Sequence, residues 1–413
     1  MDTDDSVDNR LRDAREWAGL SQQEAADALG IARELISYWE HDRRVPSLAR
    51  LARLAATYGT TTDYLTGRAP ALGGADEHAL LYQGIDAGEP RTRGAVRRWL
   101  TFLDAWAALL EEAGDRLLGR DRPPRELEQA DGSATDSRRA PALAEAVRRH
   151  YQLGRDAIPD LFAFLDERGV LVFRMPLGPL DGPGDVSGIY YNHPRLGACI
   201  LVNTDTTSGR QVFTLAHEFA HALFHHRETG LVSRAGDRDR KERFADVFAG
   251  HFLVPSATLR ALVERGADGC VRDPLEAIRL QHYFGVSYAT MLYRLFSEGL
   301  LTQGQYDEYR GYSPSHLAAR LGLPAREYYR PSEITGGTLW VYPSSVLERV
   351  RALIEADELS PVAAASLLDV APEAILGDLL AKPEGANWEE LREFAELPAP
   401  PRPRRSRAET RPC

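Results

Sequence analysis

The chain has 413 residues, 43% of them hydrophobic and 27% charged, with a formal net charge of -11. That length predicts two or three domains with cores of their own, and the acidic balance excludes a general nucleic-acid binder, so any DNA contact has to come from a local basic patch. There is no run of 18 apolar residues, no apolar leader follows the acidic start, and the three cysteines (Cys199, Cys270, Cys413) form no C-x-x-C pair, so a cytoplasmic, reducing setting without a membrane partner, disulfide scaffold or thiolate zinc site is expected.

Residues 10–68 read as a bundle of short helices. Ser21 is placed to cap a helix carrying Glu24, Ala25, Ala26 and Leu29; Gly30 breaks it, and Ile31 restarts an apolar face through Leu35, Ile36 and Trp39. Two short helices across a tight glycine turn make a helix-turn-helix. A further helix carries Leu48, Leu51, Leu54 and Ala55, and Thr62, Asp63, Tyr64 and Leu65 close the unit.

The ordered pieces L-R-x-x-R-x-x-x-G-L-S-Q, A-A-x-x-L-G-I, I-S-x-W-E, R-x-P-S-L and Y-G-T-T-x-D-Y-L cover nearly all of residues 10–67. They resemble the Cro/C1-type (XRE) helix-turn-helix family. In that family the second helix of the motif, here about Ala32 to Glu40, enters the major groove. The resemblance implies that Arg33, Glu34, Ser37 and Tyr38 face base edges of a double-stranded DNA operator, that Gln22, Arg43 and Arg44 lie near its backbone, and that a homodimer reads two half-sites. Residues 1–68 hold nine basic and twelve acidic side chains, yet Arg33, Arg43, Arg44, Arg50 and Arg53 all fall in the motif half. Phosphate neutralisation would come from there.

Residues 69–141 read as a connector. A Gly/Ala/Pro linker at 69–76 precedes helical spacing over 93–118 (Val96, Trp99, Leu100, Leu103, Trp106), which predicts one long amphipathic helix, either a dimer helix or one packed on its own domain. The Pro-, Asp- and Arg-rich segment 121–141 reads as a flexible linker.

From residue 142, helices are predicted at 143–151 and 160–168 and strands at 169–174, 186–191 and 198–202, the last two as a hairpin. Then Thr214 to Phe224 contains His217-Glu218-x-x-His221 among apolar helix formers. Residues four apart share a helix face, so both imidazoles can chelate one divalent ion, with Glu218 beside them as a base. Three protein ligands are usual, and the next helical segment, Lys241 to Pro255, carries Glu242 and Asp246 four apart. Glu242 can ligate the ion, and Asp246 can accept the free ring N–H of a ligand histidine.

Residues 142–300 also resemble the ImmA/IrrE metallopeptidases. The matching pieces are Ile158-Pro-Asp-Leu161, Glu167-Arg-Gly-Val170, Ser187-Gly188, Leu201-Val-Asn203, Arg210 with Phe213-Thr-Leu-Ala-His-Glu218, Glu242-x-x-Ala-Asp246, Leu253-Val-Pro255 and Phe284-Gly-Val-Ser287. Departures are Asp246, where the family usually has Asn, and the extra His225-His226. The resemblance implies His217, His221 and Glu242 as metal ligands and Glu218 as general base, and the departure at Asp246 leaves the geometry of that support intact and makes it more acidic. Zn²⁺ is the default for this donor set, and Mn²⁺ or Fe²⁺ suits the same ligands. His282, Tyr283, Tyr288 and Tyr293 are candidates to stabilise an oxyanion. The edge of the 187–192 or 198–202 strand is a candidate to hold an extended peptide. His225 and His226 read as helix-end polar residues, and His251 as pointing away from the ion.

Beyond 300, helices are expected at 318–329, 346–355 and 361–380, with a short strand at 339–342 and a weak second helix-turn-helix that carries almost no basic residues. Residues 398–413 read as a disordered Pro/Arg tail. The expected architecture is multidomain: an all-α helix-turn-helix head (8–68), a connector (69–141), an α+β zincin-like (gluzincin) metallopeptidase domain (142–300) and a helical C-terminal appendage (301–397). The expected function is a transcriptional regulator carrying a zinc-dependent endopeptidase that cleaves itself or a partner repressor under stress. The alternatives are a ligand-sensing factor whose metallopeptidase-like domain does not cleave, and an antitoxin or phage-defence regulator.

Overall fold

A computed structural model describes residues 7–17, 20–41, 43–58, 60, 62–66, 85, 90–114, 134–180, 182, 184–226, 228–237, 239–265, 270–323 and 338–380. The linker at 69–76, most of the segment 121–141 and the tail at 398–413 lie outside them.

The head is built of α1 (Val7–Trp17), α2 (Gln22–Leu29), α3 (Arg33–Trp39), α4 (Leu48–Tyr58) and α5 (Thr62–Leu65). Ser21 caps α2 reciprocally: its hydroxyl accepts from the Glu24 N–H, and the Glu24 carboxylate accepts from the Ser21 N–H at 2.8 Å. Gly30 ends α2 in the left-handed region at φ 64°, where a side chain would strain the turn. Leu11, Leu29, Ile36, Trp39, Leu54 and Tyr58 form a core separate from the rest of the molecule.

The body starts with α6 (Pro90–Glu112), α7 (Ala140–His150) and α8 (Leu161–Asp166). Strands β1 (Leu171–Met175), β2 (Val186–His193) and β3 (Gly197–Asn203) follow, then α9 (Ser208–Phe224), β4 (Gly230–Arg234) and α10 (Arg240–Leu253). After these come α11 (Ser256–Arg265), α12 (Pro274–Phe284), α13 (Tyr288–Ser297), α14 (Gln303–Tyr309) and α15 (Pro314–Arg320). A 3₁₀ turn (Thr338–Val341), α16 (Ser344–Glu355), α17 (Pro361–Leu367) and α18 (Pro372–Ala374) complete the described chain, the last running into a π turn at Ile375–Leu379.

The four strands are ordered β1-β3-β2-β4. β2 and β3 form the expected antiparallel hairpin, with Ile189 opposite Leu201 and Tyr191 opposite Cys199. β1 lies parallel to β3, and β4, which periodicity does not reveal, lies antiparallel to β2. Alternation along the strands feeds two cores. Val172, Tyr190, Ile200 and Val202 face α9 and the helices around it. Phe173, Ile189, Tyr191, Cys199 and Leu201 face the opposite layer. Burial on both faces is why these strands read as continuous apolar runs.

That opposite layer comes from distant parts of the chain. α6 brings Val96, Trp99, Leu103 and Trp106, and the C-terminal segment brings Tyr342, Val346, Val350 and Leu368. Trp99 packs edge-on against Phe173 and Tyr191, at ring separations of 6.1 and 6.3 Å. Residues 93–112 are therefore used on the sheet. The segment 339–342, expected as a strand, is instead the 3₁₀ turn: Tyr342 sets its ring 4.9 Å from Phe102 and donates its hydroxyl to the Leu368 carbonyl at 2.6 Å, so its apolar side chains are taken up by packing and not by a ladder, and Pro343 stops any continuation. Cys199 is free and buried.

One buried cation ties head to body. Arg97 of α6 is 1% exposed and donates from Nη1 to the carbonyls of Ala14 and Tyr58, at 3.0 and 3.1 Å. Among the described residues no helix is long and apolar enough to cross a membrane.

Candidate metal centre

α9 is buried along most of its length, with Thr214 and Glu218 against Gly188 of β2. His217 and His221 stand one turn apart, and α10 sets Glu242 opposite them. The Nε2 of His217 is 3.0 Å from a Glu242 carboxylate oxygen, the Nε2 of His221 is 3.1 Å from that of His217, and it is 3.2 Å from the second Glu242 oxygen. Edges of that length suit the tetrahedron of about 3.3 Å edges that bonds of about 2.0–2.1 Å make around a small ion. Among the described residues this is the one group of three or more potential ligands brought so close. Two imidazoles and a carboxylate fit zinc, and also manganese or iron.

Support for the ligands comes from both helices. Asp246, a turn beyond Glu242, accepts the Nδ1–H of His217 at 2.9 Å, as the i, i+4 spacing predicts. His221 is held by a residue that sequence reasoning set aside. His225 is 1% exposed and donates from Nε2 to the Ala134 carbonyl at 3.0 Å, which leaves its Nδ1 bare to accept the Nδ1–H of His221 at 2.8 Å. Both rings are thereby turned with Nε2 toward the site, where an ion would take the place of any proton on that nitrogen. The available signal was spacing: His225 continues the i, i+4 series from His217 and His221. His226 gives its backbone carbonyl to Asn192.

The electrostatics follow from burial and pairing. Burial disfavours protonation of His217, but its bonds to Asp246 and Glu242 overcome this and raise it well above the usual histidine range. Burial would raise Glu242; the two histidines instead hold it far below the usual carboxylate range. Burial lowers His221, and it pushes His225 down to about 4, so that ring stays neutral. Glu218 is fully buried, and burial pushes its carboxyl up to about 8, with His217 opposing and Glu242 adding to the shift. The Ser233 hydroxyl opposes that rise through an interaction with the Glu218 carboxyl, at a geometry short of a full hydrogen bond.

A cavity of about 400 Å³ opens onto His217 and Glu242, walled by Arg210, Ser233, Arg234 and Tyr293. Of the four oxyanion candidates only Tyr293 borders it. Tyr288 and Tyr283 direct their hydroxyls elsewhere, to the Tyr309 carbonyl and to Asp156. The strand edge lies elsewhere than expected. β2 and β3 are interior strands, each paired on both sides, and the outer strands are β1 and β4. β4 carries Ser233 and Arg234 into the cavity wall. His251 sits beyond the site, its Nε2 3.1 Å from the buried Arg294.

In the head, Arg33, Glu34, Tyr38, Arg43 and Arg44 are exposed and Ser37 is half-buried. Gln22 has an internal task. It donates to the Glu40 carboxylate at 2.9 Å, which also pairs with buried Arg15 at 2.6 Å. Arg53 closes the end of α2 through the Leu29 carbonyl, and Arg50 lies 5.6 Å from the Trp39 ring centre. Arg50 and Arg53 are thus engaged within the head, unlike exposed Arg33, Arg43 and Arg44.

Residues 11–65 match the helix-turn-helix family, and residues 165–296 match the IrrE N-terminal-like domain of the M78 peptidases. The chain is 41% identical over 63 residues to the HTH-type transcriptional regulator ImmR of Bacillus subtilis (strain 168), covering 15% of this chain and half the length of that relative. It is 32% identical over 111 residues to the HTH-type transcriptional regulator AnsR of the same organism, covering 25% of this chain and 96% of AnsR. The chain therefore belongs to the XRE-type helix-turn-helix transcriptional regulators and carries an IrrE N-terminal-like domain on the same polypeptide.

Proposed function

We propose that this protein is a DNA-binding transcriptional regulator whose IrrE N-terminal-like domain is a metal-dependent endopeptidase, with zinc as its ion and itself or a partner repressor as its substrate. The carrying observation is the convergence of His217, His221 and Glu242 beside the buried carboxyl of Glu218. A divalent ion at those three side chains supplies Lewis acidity, polarising a peptide carbonyl and acidifying water. Glu218 takes the proton of the attacking water and passes it to the leaving nitrogen. In the metal-free site burial keeps the Glu218 carboxyl protonated, and a dication at the three side chains would favour the carboxylate form that accepts the proton. Arg210 and Tyr293 on the cavity wall are available to the carbonyl oxygen, and the outer edge of β4 offers backbone pairing to an extended peptide. In the head, α3 is the groove helix, with Arg33, Glu34, Ser37 and Tyr38 toward bases and Arg43 and Arg44 toward phosphates, in a homodimer.

A second reading, a sensor that does not cleave, is favoured by the Arg97 link, through which the state of the body reaches the head without any bond being cut. Glu218→Gln separates the two. The variant keeps its metal, measured by elemental analysis, and loses cleavage of itself or an XRE-type partner by about 10²–10⁴-fold. If zinc-loaded wild type cleaves neither, the peptidase reading fails and the sensor reading stands.

A further inference from the structure

β2 and β4 meet Glu218 at one rung of the sheet. Along β4, Leu231 packs with the core around α9 and Val232 with the core on the opposite side. Their partners on β2 divide the same way: Tyr190, opposite Leu231, faces α9, and Ile189, opposite Val232, faces away. Side chains alternate along a strand, and paired residues share a face. The next rung, Gly188 opposite Ser233, therefore faces α9. Gly188 has no side chain there, and Glu218 fills the space. A Cβ on Gly188 would stand 2.7 Å from a Glu218 oxygen and 3.1 Å from its Cγ. Ser233, across the rung, turns its side chain to the same space.

Both groups lack another partner. Ser233 is 2% exposed and Glu218 is fully buried. Among the described residues, neither the Ser233 hydroxyl nor either Glu218 oxygen makes a full hydrogen bond, while the two groups interact with each other. A buried donor and a buried acceptor are each costly when left unpaired, so this pairing is the favourable one. The backbone of Ser233 is itself held. Ser187, at the irregularity between Val186 and Gly188, donates its hydroxyl to the Ser233 carbonyl at 3.2 Å. Ser187 and Ser233 border the same cavity as His217 and Glu242.

We propose that Ser233 is a positioning residue for Glu218: its hydroxyl donates to one carboxyl oxygen and so turns the other toward His217, His221 and Glu242. α9 fixes the stem of Glu218, but the last torsion of a glutamate is soft. A base works only with an oxygen within hydrogen-bond reach of the water it deprotonates. The catalytic benefit rests on the peptidase reading of Glu218; the contact itself does not.

Ser233→Ala removes the hydroxyl and little volume. In the metal-free, full-length protein the infrared carboxyl band of Glu218 is taken as the difference between each protein and its Glu218→Gln counterpart. A carbonyl released from a donor absorbs at higher wavenumber, so the band is expected to move up in Ser233→Ala. Cleavage is then measured on whichever substrate the wild type cuts, a labelled Glu218→Gln copy of this chain or an XRE-type repressor. In zinc-loaded Ser233→Ala, kcat is expected to fall about 10-fold, the worth of one hydrogen bond to a charged group, with KM, zinc content and melting temperature unchanged. In the Glu218→Gln background the same change is expected to alter residual cleavage less than about 2-fold, because residues that act as a unit are not additive. An unmoved band or an unchanged kcat overturns the positioning role. So does a loss of kcat matched by lost zinc or a lowered melting temperature. If the wild type cuts neither substrate, the peptidase reading fails, and the band still decides whether Ser233 holds Glu218.

Discussion

Gly188 faces Glu218 across the contact between β2 and α9. A Cβ there would stand 2.6 Å from Thr214 Cγ2 and 2.7 Å from a Glu218 oxygen, both on a buried helix with no room to retreat. Gly188→Ala is expected to cost about 1–3 kcal/mol by overpacking, read as a lower urea midpoint at unchanged slope. His225 acts at the same scale by a different route. Removing its ring leaves the Nδ1–H of buried His221 unpaired and frees that imidazole to change tautomer. His225→Ala is expected to weaken zinc about 10–100-fold in chelator competition, with Glu218 untouched. An affinity equal to wild type would show that the 2.8 Å contact does not orient His221.

α10 brings Glu242, the third potential ligand, to the candidate site, and its far end is held by two buried arginines. Arg148 donates to the Phe252 carbonyl at 2.6 Å, and Arg294 donates to the Val254 carbonyl at 3.1 Å. Both carbonyls lie at a helix end, where no intrahelical donor remains. His251 is packed against Arg294, and burial with that cation pushes its ring down to about 4. The unfolded chain protonates this histidine near its usual value of about 6.5. As pH falls from about 6.5 to about 4 the unfolded state takes up the proton first, so the folded state loses stability through that window and no more below it. The melting temperature of the metal-free protein is expected to drop across that window, and less steeply in His251→Gln. Equal slopes would remove His251 from the acid response.

At the scale of the whole molecule the connector and the C-terminal appendage are structural partners. α6 and residues 338–380 together cover the face of the sheet opposite α9, and α6 then reaches the head through Arg97. Arg97→Met keeps the apolar stem and removes the donors to Ala14 and Tyr58. The two carbonyls then lack their partner, at about 1–3 kcal/mol. The expected outcome in calorimetry is that a single unfolding transition splits, with the head melting before the body. A single transition at the wild-type temperature would mean that the head does not depend on this latch.

Local rules determined much of this protein. Helix period and the Ser21 capping box set out the head, and alternation with turn chemistry set out the β2–β3 hairpin. The His217–His221 spacing and the Glu242–Asp246 spacing set out the candidate metal centre, because a helix turns i, i+4 repeats into one face whatever surrounds it. Tertiary structure decided what depends on residues distant in sequence. β4 is a weakly apolar strand, only half-buried along most of its length, so its pairing with β2 left little periodic trace. The 339–342 segment became a 3₁₀ turn because Phe102 and Leu368 claimed Tyr342. His225 took up its role because the Ala134 carbonyl, 91 residues away, selects its tautomer. Which of the five motif arginines remain free in the head, and that α6 covers a sheet and holds the head by Arg97, are likewise settled only when partners far apart in the chain meet.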